Sequence, residues 1–90
     1  MADDKPQQPK LDFTAFVLSL GSSALIHLGQ APDPTTGMSG EPNLPLAQQS
    51  IDLLALLQEK TRGNLSAEES NFLERLLYDL RMLFLSASRR

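Results

Sequence analysis

FTAFVLSLGSSALIHLG, residues Phe13 to Gly29, runs the length of a helix without one formally charged side chain. A solvent-facing helix of a small domain normally carries charge opposite its apolar stripe. Here only Thr14, Ser19, Ser22, Ser23 and His27 interrupt the apolar character. The segment is therefore expected to be covered on most sides: by the rest of the domain, by a second copy of the chain, or by a membrane. At 3.6 residues per turn, Phe13, Phe16, Val17, Leu20, Ala24 and Leu28 form one stripe. Thr14, Leu18, Gly21 and Leu25 form a second beside it, so the apolar arc is wider than one packed neighbour requires. Asp12 is placed to cap the first turn, and Gly29 suits the left-handed position that ends a helix.

Downstream, QAPDPTTGMSGEPNL (30–44) carries three prolines and two glycines and makes a long connection. Pro45 then fits the first turn of a second helix, with Asn43 or Leu44 as its cap. Leu46, Leu53, Leu54 and Leu57 read as its main stripe, with Ser50 inside it. Ile51 and Leu56 fall outside. Gln48, Asp52 and Glu59 take the opposite side. Ser66-Ala-Glu-Glu69 has capping-box spacing and opens a third helix. Phe72, Leu73, Leu76, Leu77, Leu80, Leu83, Phe84 and Ala87 share its inner face, while Met82 and Leu85 lie on the outer side. The short 62–66 turn makes helices two and three an antiparallel hairpin. No period-two pattern appears, so the fold class is all-α. Three helices are expected near 13–29, 45–62 and 67–87, the first packed across the hairpin. Residues 1–11, polar and rich in Pro, Gln, Lys and Asp, are expected to form a disordered tail before a single helical domain, 12–90.

Composition narrows the function. The chain has 90 residues, no cysteine and a net charge of −3. A core this small is marginal alone, and with no disulfide or thiolate metal site to help it, association is the remaining common route to stability. Eight scattered Lys and Arg residues under a negative balance argue against nucleic acid as a partner. MADDKPQQPK has no basic start leading into an apolar run, so a secretory signal is not expected and the cytoplasm is the default location.

Catalytic and ligand-binding signals are sparse. His27 is the only histidine, and no carboxylate or second ligand lies within a helical turn of it. An imidazole at the edge of a core or subunit contact is the simpler reading. An enzyme would have to draw on His27 with Asp33, Glu41 or Tyr78. Glu68 and Glu69 are explained by the positive end of the third helix. Ser22 and Ser23 lack the His and Asp that would make either a nucleophile. No phosphate-cradling glycine loop or metal spacing occurs, so neither a cofactor nor a metal is expected. The small run Gly21-Ser-Ser-Ala24 suits a close helix crossing, either with another subunit or within the chain. A spanning helix wants about 20 apolar residues with basic or aromatic anchors at its ends, and 13–29 has neither the length nor the anchors.

FVLSLGSSALIHLG (16–29), PDP (32–34), NLPLAQQSIDLLALLQEKTRGNL (43–65) and LLYDLRMLFL (76–85) together resemble the bacterial family called domain of unknown function 1844. The likeness covers most of the chain from about Asp12 to Leu85. It implies a small helical cytoplasmic protein and an ordered 30–44 connection. It brings no activity, cofactor or catalytic residue to carry over.

Burying one Leu, Ile, Val or Phe contributes about 1.5–3 kcal/mol. Leaving Leu18, Leu25, Ile26, Ile51, Leu56, Met82 and Leu85 in water would forfeit much of that and expose apolar patches. These residues, with Gly21, are the expected interface of a homo-oligomer. The function expected is a non-enzymatic self-association and protein-interaction module, which also admits an unidentified protein partner. The alternative is a membrane-associated subunit using 13–29.

Overall fold

A computed structural model describes residues 12–89, and the polar tail 1–11 lies outside the described residues. Three helices follow in order: α1 (Phe13–His27), α2 (Leu44–Lys60) and α3 (Ala67–Ser88). No strand occurs among the described residues.

Each helix starts where a side chain satisfies a free N–H of the first turn. The Ala15 N–H donates to Asp12 Oδ1 at 2.8 Å, and the Leu46 N–H donates to Asn43 Oδ1 at 3.2 Å. At α3 the capping box closes in both directions. The Glu69 N–H donates to Ser66 Oγ at 3.1 Å, and the Ser66 N–H donates to Glu69 Oε1 at 2.9 Å.

Helix α1 ends two residues before the sequence suggests, because Leu28 to Gln30 form its C-terminal cap rather than a further turn. The Gly29 N–H donates to the Ile26 carbonyl at 3.0 Å and the Gln30 N–H to the Leu25 carbonyl at 2.9 Å. This paired geometry needs a left-handed residue, and Gly29 supplies it at φ +77°. The 30–44 connection then returns along the end of α1. The Asp33 side chain accepts from the Thr35 N–H at 2.8 Å, making an Asx turn, and the Asp33 N–H donates to the Met38 carbonyl at 3.0 Å. The Asn43 N–H donates to the His27 carbonyl at 2.6 Å, tying the start of α2 to the end of α1.

The core takes Val17 and Ala24 from α1 together with its cap residue Leu28, Ala47, Ile51 and Leu54 from α2, and Leu73, Leu77 and Leu80 from α3. Each helix packs on both others, and the α1–α2 pairing is the most extensive. Helix α3 buries the face its periodicity marks.

Helix α2 does not, and its reading is corrected. The buried positions are Ala47, Ser50, Ile51 and Leu54, while Leu46 and Leu53, assigned to the main stripe, are exposed. The core side of α2 is rotated by roughly a quarter turn toward Ile51. Small Ala47 and Ser50 are what permit it, since they let α2 lie close against its neighbours while larger leucines point elsewhere.

Candidate interaction surface

The α2 rotation decides which apolar residues reach solvent. With Ile51 turned inward, Leu53 and Leu56 point outward beside α1. Phe16 and Leu20 of α1 line the other wall of a groove of about 260 Å³, completed by Leu57 and by Lys60 at one end. Phe16, Leu53 and Leu56 are 46 %, 47 % and 50 % exposed. The amino-terminal half of antiparallel α1 and the carboxy-terminal half of α2 place these residues side by side. Beyond the groove, the outer side of α1 presents Ala15, Ser19 and Ser23, all exposed and uncharged.

A second apolar strip runs along the outside of α3. Tyr78, Met82 and Leu85 follow at four- and three-residue spacing and are about half exposed or more. Arg75 and Asp79 lie beside it as an exposed ion pair, Nε to Oδ2 3.7 Å. Charge borders both surfaces: Arg75 and Asp79 lie beside the α3 strip, and exposed Asp52 and Glu59 stand four residues before and three after Leu56, with Lys60 at the end of the groove.

The eight residues expected at an interface divide into three groups. Leu18, Leu56, Met82 and Leu85 are exposed by about half, and each could meet another molecule. Ile51 is 2 % exposed and belongs to the chain's own core. Gly21 is buried as well: a Cβ added there would lie 2.9 Å from Leu76 Cδ2 of α3. The close crossing that Gly21 allows is therefore made within the chain. Leu25 and Ile26 are half-buried, Leu25 packing against the core and Ile26 lining a cleft under the 30–44 connection. The four exposed residues do not form one patch, for Met82 and Leu85 stand on the outer face of α3 and Leu56 on α2. Phe16 and Leu53, the most prominent groove residues besides Leu56, were assigned to internal stripes. For Leu53 the sequence holds a signal, its i, i+3 spacing to Leu56; for Phe16, in a helix without a charged face, it holds none.

The cleft beside Ile26 also holds His27, Asp33, Thr36, Glu41 and Asn43 and has a volume of about 230 Å³. It gathers the polar residues an enzyme would have needed, except Tyr78, which lies on α3 outside it. No group of three or more His, Cys, Asp or Glu side chains suited to a metal ion occurs among the described residues. No helix among them is long and apolar enough to cross a membrane. Helix α1, with 15 residues, is well short of the roughly 20 that a bilayer core demands.

The chain matches the family model described as a domain of unknown function (DUF1844) over residues 10–86, and it belongs to that family. No curated protein and no solved structure matches it.

Proposed function

We propose that this member of the DUF1844 family is a non-enzymatic, cytoplasmic association module that binds first to itself and, as an assembly, presents surface to a protein partner. The observation that supports this reading is the groove between α1 and α2. Phe16, Leu53 and Leu56 stand about half in water beside a helix without charge. Each leaves roughly 50–100 Å² of mostly apolar surface uncovered, at about 25 cal/mol per Å². A contact covering them recovers that free energy, and contiguous exposed apolar surface on a small protein marks an interaction site more often than chance.

The side chains of the His27 cleft support no catalytic alternative to the same degree. The His27 cleft holds one histidine and two carboxylates, without a nucleophile set against a base. The reading is tested with Leu56→Glu, which puts a charge into the groove at an exposed position and so spares the fold. Sedimentation velocity should show the parent chain as an oligomer and the variant as a smaller species with unchanged helical circular dichroism. An unaltered sedimentation coefficient would remove the groove from the contact.

A further inference from the structure

We draw no further inference here: the strongest candidate, the apolar groove between α1 and α2, is bordered by acidic Asp12, Asp52 and Glu59 as well as by Lys60, and nothing in the structure shows what covers it.

Discussion

Gly21 of α1 lies directly beneath Leu76 of α3, so close that a methyl group at Gly21 would come within 2.9 Å of Leu76 Cδ2. This contact sets the distance between the two helices. It also explains why a glycine is kept inside α1, where it disfavours the helix by about 1 kcal/mol against alanine. Two effects oppose each other on substitution. Gly21→Ala regains helix propensity but pushes on the tip of a flexible leucine, and the two should nearly cancel, leaving stability within about 1 kcal/mol of the parent. Gly21→Leu cannot be absorbed by a rotamer change and should lose about 1–3 kcal/mol. Urea unfolding measures both. Coupling should appear as non-additivity, with Gly21→Leu tolerated better in a Leu76→Ala background.

The rotated face of α2 makes a second prediction, because it separates residues of similar hydrophobicity. Ile51 is buried and Leu46 is 41 % exposed. Ile51→Ala should reduce unfolding free energy by about 2–5 kcal/mol, through lost burial and the cavity left behind. Leu46→Ala should change it by about 0.5 kcal/mol or less. Reversal of that order in chemical denaturation would restore the stripe that hydrophobic spacing alone suggests.

A third prediction concerns the 30–44 connection. Gly29 has φ +77°, and a Cβ there would sit 2.7 Å from the Gly40 carbonyl oxygen. Gly29→Ala therefore meets backbone strain of about 1–2 kcal/mol and a backbone clash that no rotamer relieves. Stability should fall by about 2 kcal/mol or more. The Asn43 N–H, bonded to the His27 carbonyl at 2.6 Å, should lose protection from hydrogen exchange in the variant. Unchanged exchange at Asn43 would show that the connection is held by something other than this turn.

The capping box at the head of α3 gives a fourth. Ser66→Ala removes the acceptor for the Glu69 N–H and should lose about 0.5–2 kcal/mol, while Ser66→Asp should retain most of the stability. Thermal unfolding of the two variants separates a capping role from simple loss of a polar side chain.

How much of this was legible in the sequence differs from helix to helix. Helix α3 carries Glu74, Arg75, Asp79 and Arg81 opposite its leucines, so polarity and burial point the same way and its face could be read directly. The caps at Asp12, Asn43, Ser66 and Gly29 were legible too, because each depends on local backbone geometry. Helix α2 was misread because Ala47 and Ser50 weigh little in a hydrophobic pattern, yet small size is what brings them against the neighbouring helices. Helix α1 has no polar side to orient it. Its lack of charge suggests cover on most sides, yet within the chain only Val17, Gly21 and Ala24 of the helix are buried, and spacing does not show that Gly21 turns inward and Phe16 outward. The candidate surface inherits that ambiguity: Leu56, Met82 and Leu85 follow from spacing, whereas Leu53 falls on the surface only with the phase of α2 and Phe16 only with the phase of α1.

The most direct test of the account is the molar mass of the unaltered chain, measured by light scattering after gel filtration across a concentration series. A value above 9.9 kDa that falls toward 9.9 kDa on dilution is what self-association predicts. A mass of 9.9 kDa at every concentration up to about 100 µM, where even weak specific pairing would register, would contradict it.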